Sequence, residues 1–410
     1  MTSVQMSTVD VKFVNDHETD IDYVLRYTRF FLNCIGIWPL VSSNPTRIEK
    51  IVSKFMIPYC SFTMFSLILP SYLHLVLREV GTIETILLLG PLCHSSSDVL
   101  EHLMLISHSE KIKSCIQQMR NDWLSLESEN DRGIAMKNVE VGRNLTLLCT
   151  VTMYSGGLFF AVIMPLCWGN TINELNETVR PLVFPGNDIL INLQVGFNYE
   201  IVFCNSCIAS FLHWSVVNAI FNLACIFVTH ACGQLQIIVT RLENLVDETD
   251  AITIQNRIAS ITRRHLRVLK FSSTIDQLLQ EICLMEVVVS TIIICLLEYY
   301  CLLEWKNGNK IGIITYVMIL FSMVFNIFIY CYVGELLQEQ CKAIGKAAYM
   351  IEWYKLPGKT GLGLIMITIM SNNPRKLTAG RIVELSYNTF CSIVKTSFAY
   401  LGMLRAVADD

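Results

Sequence analysis

Seven stretches of this chain stay predominantly apolar for about 20 residues or more, and no other feature constrains its fold as strongly. Roughly 20 such residues are what a helix needs to cross the hydrocarbon core of a bilayer. The stretches lie near 51–77, 82–107, 145–168, 199–230, 281–303, 311–333 and 386–404. Another apolar piece, "LGLIMITIM" at 362–370, would reach only about 14 Å as a helix and cannot span. Charged residues make up 16% of the 410, against roughly 25% in soluble domains, which points the same way. The expected fold class is an all-α polytopic membrane protein with seven transmembrane helices. A net charge of -4 offers no basic surface for nucleic acid, so none is expected as a partner.

Sixteen cysteines could suggest a disulfide framework, but Cys60, Cys93, Cys149, Cys225, Cys295, Cys331 and Cys391 sit inside the apolar runs. There they act as small, polarizable hydrophobes. The opening "MTSVQMSTVDVKFVNDHETD" is polar and lacks the apolar core of a signal peptide, so insertion is expected to begin at an internal span. Ahead of the first span, "IDYVLRYTRFFLNCIGIW" is amphipathic and expected to lie in contact with interfacial lipid.

Lysine and arginine set the orientation. The N-terminal segment (through Lys54) and the second, fourth and sixth loops hold six, six, six and seven of them. The remaining loops and the tail hold Arg78, Arg180, Lys306, Lys310 and Arg405, while Lys395 lies within a span. Positive charge collects on the cytoplasmic side, so the N-terminus is expected inside and the C-terminus outside. The sequon Asn176-Glu-Thr178 then falls outside and is a candidate glycosylation site, whereas Asn144-Leu-Thr146 falls at the cytoplasmic end of the third span. This orientation is opposite to that of a G-protein-coupled receptor, whose Asp-Arg-Tyr and Asn-Pro-x-x-Tyr motifs are also missing. A secondary transporter would show paired halves and broken midplane helices, and neither is visible. These two remain the alternative functions.

The segments divide as a cytoplasmic N-terminus with an interfacial helix (1–50), spans one to four (51–230), a cytoplasmic helical hairpin (231–280), spans five and six (281–333), a cytoplasmic anchor (334–385) and the last span with a short tail (386–410). Leu235, Ile238, Leu242 and Leu245 recur at the spacing of a coiled-coil seam. Ile258, Ile261, His265, Val268, Ser272, Ile275 and Leu279 keep the same beat. The seam fits packing within one chain or between subunits equally well. In the sixth loop, "CKAIGKAAYMIEWYKL" reads as an amphipathic helix ending at Pro357-Gly358.

The last span is unusual because it carries a lysine near its middle. At 100° per residue, Asn388, Ser392, Lys395, Ala399, Met403 and Ala406 fall within a sector of about 80°. Thr389, Thr396 and Val407 border it, and Phe390, Ile393, Val394, Phe398, Leu401 and Leu404 lie opposite. An ionisable residue in a span usually faces a bundle interior or water. One reading is a pore-lining stripe, polar inside and apolar beyond Ala399, with several chains contributing one helix each. The other is that Lys395 snorkels or pairs with Asp98 or Glu101 of the second span.

The C-terminal third adds a resemblance. "IYCYVGELL" is followed in order by "AAYMIEWYKL", "LGLIMITIMSNNPRKLTAGRIVELSYNTF" and "SIVKTSFAYLGMLR". Together with "RPLVFPGND" in the third loop, these resemble the insect odorant receptor family, closely over 325–405 and elsewhere only in length, span count and orientation. The resemblance implies an odorant-gated, non-selective cation channel, tetrameric, in the plasma membrane of olfactory neuron dendrites. It implies that the final helix lines the pore, with its narrowest positions at Met403, Ala406 and Val407. The related gustatory receptors end in Thr-Tyr, five residues, then Gln-Phe. Here Ala399 precedes Tyr400, and Ala406 and Val407 stand where Gln and Phe would fall. The family's co-receptor is similar to the gustatory type there and has a long insert between spans four and five, which this chain lacks. The chain therefore resembles a ligand-specific subunit whose partners would be a small volatile odorant and the co-receptor.

By the same resemblance, the odorant site lies in the outer half of spans two, three, four and six. Those halves contribute Ile83 and Leu87, Tyr154 and Leu158, Phe203 and Cys207, and Tyr316. Other motifs carry less. "CHSSSDVLEH" places His94, Asp98, Glu101 and His102 along the second span, which suits a polar cavity or interface better than a metal or proton site. Cys204-x-x-Cys207 has no second pair or flanking histidine to complete a metal site. "PGKTGLG" lacks the first glycine of a phosphate loop, since Trp353 occupies it. No catalytic constellation and no cofactor motif is evident, so the chain is not expected to be an enzyme.

Overall fold

The computed structural model describes residues 8–79, 81–168, 171–172, 178–180, 182–191, 193, 197–245, 250–356 and 361–409. Helices α1 (Thr8–Cys34), α2 (Trp38–Val41), α3 (Arg47–Leu77), α4 (Thr82–Ser107), α5 (Ser109–Leu124) and α6 (Glu129–Leu158) come first. A π-helical turn at Phe159–Ile163 carries α6 into α7 (Met164–Trp168). Next come α8 (Asn187–Leu190), the long α9 (Asn198–Glu243), α10 (Ala251–Asn307) and α11 (Lys310–Met350), then α12 (Gly361–Ser371) and α13 (Tyr387–Asp409). Two small antiparallel ladders interrupt the helices. They pair β1 (Thr171–Ile172) with β2 (Thr178–Val179), and β3 (Thr378–Ala379) with β4 (Val383–Glu384).

Among the described residues, five helical units are long and apolar enough to cross a membrane: α3, α6 with its continuation, α9, α10 and α11. Helices α4 and α13 form where spans were expected but are not among the five. Glu84, His94, Asp98, Glu101, His102 and four serines dilute α4, and Asn388, Ser392, Lys395 and Thr396 dilute α13.

The helix ends follow local chemistry. Thr46 and Glu49 form a capping box on α3, with the Glu49 N–H donating to Thr46 Oγ1 (3.2 Å) and the Thr46 N–H to Glu49 Oε2 (2.7 Å). Gly308 ends α10 at φ +70°, a left-handed conformation that favours glycine, and Asn309 caps α11 by accepting from the Gly312 N–H.

Helix α9 is the hub. From Ser215 to Leu235 every residue is buried, and the helix packs against α1, α3, α4, α6, α10 and α11. By contrast α3 keeps Phe55 and Phe62 more than 70% exposed, as expected of a face that meets lipid. Some polar side chains on α9 find partners on other helices: Asn222 accepts from Thr28 Oγ1 (2.6 Å) and donates to Thr146 Oγ1 (3.3 Å).

Beyond the apolar part, α9 and α10 continue as an antiparallel pair. Leu235, Ile238 and Leu242 of α9, Leu245 just past its end and all seven seam residues of α10 are buried within the single chain, and Arg264 Nε donates across to Gln234 Oε1 (3.1 Å). The seam is thus used for packing inside one chain. The segment from Cys341 is not a separate helix but the last part of α11.

The β3–β4 hairpin positions α13. Asp276 of α10 accepts from both the Thr378 N–H and its hydroxyl at 2.8 Å, and the Gly380 N–H donates to Gln280 O at 2.8 Å. At Gly334 of α11, a Cβ would lie 2.3 Å from the Leu385 carbonyl oxygen, so only glycine lets the chain entering α13 approach. From there α13 runs against α10 and α11.

Candidate functional site

Helices α4, α6, α9, α10 and α11 line a small cavity of about 70 Å³. Its wall combines Gly90, Pro91 and His94 of α4 with Met153, Gly156 and Gly157 of α6 and Phe160 of the π-helical turn. Trp214 comes from α9, Ile293, Leu297 and Tyr300 from α10, and Tyr316, Ile319, Ser322 and Met323 from α11. Concave, mostly apolar chambers with a few polar groups are the usual form of a small-molecule site.

Glycines and one inserted hydroxyl shape this wall. The Tyr300 hydroxyl enters the backbone ladder of α4, accepting from the Gly90 N–H (3.3 Å) and donating to the Ile86 carbonyl (2.6 Å). A Cβ on Gly90 would meet that hydroxyl at 2.8 Å. Pro91, which has no N–H, follows immediately. On the opposite side, the Trp214 indole lies where a Cβ on Gly157 would be, 2.2 Å from its ring atoms. Tyr154 stands against Trp214 edge-to-face and hydrogen-bonds Ser215 Oγ at 2.8 Å, which steadies the indole.

Of the seven residues expected to contact ligand, Tyr316 lines this cavity. Tyr154 stands beside Trp214. Ile83 and Leu158 are exposed, 45% and 50%, on the outside of the bundle. Leu87 and Cys207 are half-buried without reaching the cavity, and Phe203 stacks on Tyr199 at 6.1 Å. The contribution of α10 was missed entirely. The adjacent glycines at 156–157 and the Gly90-Pro91 pair were the available signals, because they mark where side chains of other helices come close.

Below the cavity wall lies a buried polar cluster. Asp98 Oδ1 accepts from His94 Nδ1 (3.0 Å) and Oδ2 from His213 Nδ1 (3.1 Å). Glu101 is hydrogen-bonded to Glu286 of α10, which also accepts from Asn326 Nδ2 of α11 at 2.5 Å. The second span therefore ties four helices together through its acids and histidines, as a polar interface inside the bundle. Among the described residues no group of three or more ligands could hold a metal ion, and Cys204 and Cys207 are free thiols. Of the glycine-rich "PGKTGLG", 357–360 lie outside the described residues.

On α13, Asn388, Ser392, Lys395, Ala399 and Met403 are all exposed, while Ile393 is 6% and Ser397 0% exposed. Ser397 donates to Glu298 Oε1 of α10 (3.3 Å) and to the Val394 carbonyl (2.8 Å). The lysine-bearing stripe thus points away from the rest of the chain. Phe398, expected on the packed side, is exposed as well. Lys395 has no ion-pair partner among the described residues, and Asp98 and Glu101 are engaged elsewhere. The side chains of Ala406 and Val407, and Asn176, lie outside the described residues.

A helical bundle with several membrane-length helices around an apolar cavity fits a polytopic membrane receptor. A family model described as 7tm Odorant receptor matches residues 88–398. The chain belongs to this odorant receptor family of insects; it is a receptor of olfaction and not an enzyme. Odorant receptor 13a of Drosophila melanogaster is 21% identical over 95% of this chain and 98% of its own length. Odorant receptor 46a, isoform A, of the same species is 20% identical over 94% and 98%. The solved structure of the insect olfactory receptor OR5 from Machilis hrabei in complex with eugenol superposes with a TM-score of 0.76. That match covers 96% of this chain and 99% of the other at 12% identity, a likeness of fold.

Proposed function

We propose that this chain is the ligand-binding subunit of a heteromeric, tetrameric odorant-gated cation channel, assembled with the odorant receptor co-receptor in the dendritic membrane of olfactory neurons. Seven helices cross the bilayer in this reading, α4 and α13 included, with the N-terminus cytoplasmic and Asn176 outside and glycosylated. The single observation that carries the reading is the open polar face of α13, where Lys395 stands exposed beside a packed Ile393 and Ser397. A lysine on a membrane helix needs water or a partner, and neighbouring subunits around a shared axis provide a water-filled lumen. Asn388, Ser392, Lys395 and Ala399 would line it, with its narrowest positions at Met403, Ala406 and Val407.

A second feature favours assembly. Around α12 and the end of α11, Tyr349, Met350, Trp353, Leu362, Met366 and Ile369 are each at least 60% exposed. An apolar patch of that kind marks an interaction surface, and it coincides with the expected anchor region. The cavity between α4, α6, α9, α10 and α11 would hold the volatile, with Tyr316 at its wall and Tyr154 behind Trp214. Ile83, Leu87, Leu158, Phe203 and Cys207 would then border the site or its entry.

The test is current recorded from cells that express this chain with the co-receptor, on application of a volatile panel and with G-protein signalling blocked. Odorant-evoked cation current is expected. Silence across the panel despite surface expression would overturn the channel reading, and current lost on blocking G proteins would favour the alternative receptor class.

A further inference from the structure

We propose that the cavity selects a hydroxyl-bearing ligand, a small alcohol or phenol, whose hydroxyl pairs with Tyr316 Oη and His94 Nε2. The proposal rests on the reading of this cavity as the odorant site. Most polar atoms of the wall are already spent. Tyr300 Oη is held by Ile86 and Gly90, and Ser322 Oγ by the carbonyls of Thr152 and Met318, both at 2.8 Å. Two atoms remain. Tyr316 is 7% exposed and its hydroxyl has no hydrogen-bond partner among the described residues. His94 lines the cavity with Nδ1 fixed to Asp98 and Nε2 unpartnered among the described residues.

The carboxylate of Asp98 accepts from two histidines at once, so the His94 ring is oriented rather than free to turn. A hydroxyl both donates and accepts. It can give its proton to a neutral Nε2 while accepting from Tyr316, or accept from a protonated Nε2 while donating to Tyr316. A carbonyl can only accept, and a hydrocarbon can do neither. Sites built around unspent polar atoms reject analogues that leave those atoms unpaired. Phe160, Trp214 and Tyr300 supply flat aromatic walls, which suit a ring as the apolar body.

The experiment uses the full chain assembled with its co-receptor and three near-isosteric probes: benzyl alcohol, benzaldehyde and toluene. The readouts are the concentration of each that half-protects the purified assembly against thermal unfolding and, in cells, the concentration that half-activates current. Benzyl alcohol should act at roughly tenfold lower concentration than benzaldehyde, the loss expected for one hydrogen bond, and toluene should be weaker again. Tyr316→Phe removes one unpartnered oxygen, so unliganded melting should not change, while the advantage of benzyl alcohol over toluene should shrink by about tenfold. His94→Gln should act in the same direction, and the double variant should lose less than the sum because one hydroxyl serves both residues.

Equal potency of the three probes, no effect of benzyl alcohol at millimolar concentration, or an intact preference in Tyr316→Phe would each overturn the proposal. Should His94→Gln not assemble, Tyr316→Phe alone decides. Filling the chamber with Ile319→Trp separates the two levels. If it abolishes every response while Tyr316→Phe leaves the ranking unchanged, the cavity reading stands and the hydroxyl inference fails. If responses survive the filling, the cavity reading itself fails.

Discussion

Replacing Asp98 by alanine should cost roughly 3–5 kcal/mol of stability, the range for breaking a buried ionic pair by removing one partner. Asp98 is 2% exposed, and its two oxygens accept from His94 Nδ1 at 3.0 Å and His213 Nδ1 at 3.1 Å. Each hydrogen bond to an ionised acceptor contributes about 1.5–3 kcal/mol, so the loss of two reaches the same figure independently. His213 is 3% exposed and its Nε2 has no partner among the described residues, so the substitution strips that ring of its remaining bond. Asp98→Asn keeps the shape and one acceptor, and should lose about half as much. Thermal unfolding of the detergent-solubilised assembly, read by monodisperse fluorescence after heating, compares the three proteins. Wild-type melting in Asp98→Ala would refute the reasoning, because it would mean that the histidines find other partners at no cost. Fully wild-type behaviour of Asp98→Asn alone would show instead that charge is dispensable and hydrogen bonding suffices.

His265 is fully buried in the α9–α10 seam with neither ring nitrogen hydrogen-bonded among the described residues, so His265→Phe should stabilise the protein by about 1–3 kcal/mol in the same melting assay. Gly334→Ala would set a Cβ 2.3 Å from the Leu385 carbonyl and should cost about 1–3 kcal/mol. It should also weaken ligand-evoked current more than surface expression, since the strain falls where α13 begins. At the start of α10, Asp250 accepts from the Thr253 hydroxyl (2.7 Å) and N–H (3.0 Å), and these bonds hold its carboxyl below the ordinary 3.8. Because the folded-state value is the lower one, the cap acts above the unfolded value and is lost as pH falls through the folded one. Protection against hydrogen exchange in the first turn of α10, taken relative to the intrinsic rate at each pH, should therefore fall at acid pH in the wild type and be low at every pH in Asp250→Ala.

Hydropathy and charge exposed the helices because lipid rewards continuous apolar runs. The hairpin seam was equally plain, since Leu235 to Leu279 repeat at helical spacing and are buried as that spacing requires. The wheel for α13 separated Asn388, Ser392, Lys395, Ala399 and Met403 from Ile393 correctly, because an exposed polar stripe is a local property of one helix. The cavity was much less legible. Its wall depends on how each helix is rotated, and that rotation is set by contacts between distant residues. The indole of Trp214 against Gly157 and the hydroxyl of Tyr300 within α4 decide it, over separations of 57 and 210 residues. Spacing along one helix carries no record of such contacts, so of the expected set Tyr316 stands at the cavity wall while Ile83 and Leu158 face outward.

The central claim is that the lysine-bearing face of α13 meets water in the working assembly. The most direct measurement introduces single cysteines at 388, 392, 395, 399 and 403, and at 393 and 397 as controls. The exposed native Cys391 is replaced by serine, and charged thiol reagents are applied to channels held open by ligand. Rapid, current-altering modification of the first set with silent controls is the expected result. Modification of 393 and 397 with the first set protected would contradict it, and would make Lys395 a surface residue with no part in conduction.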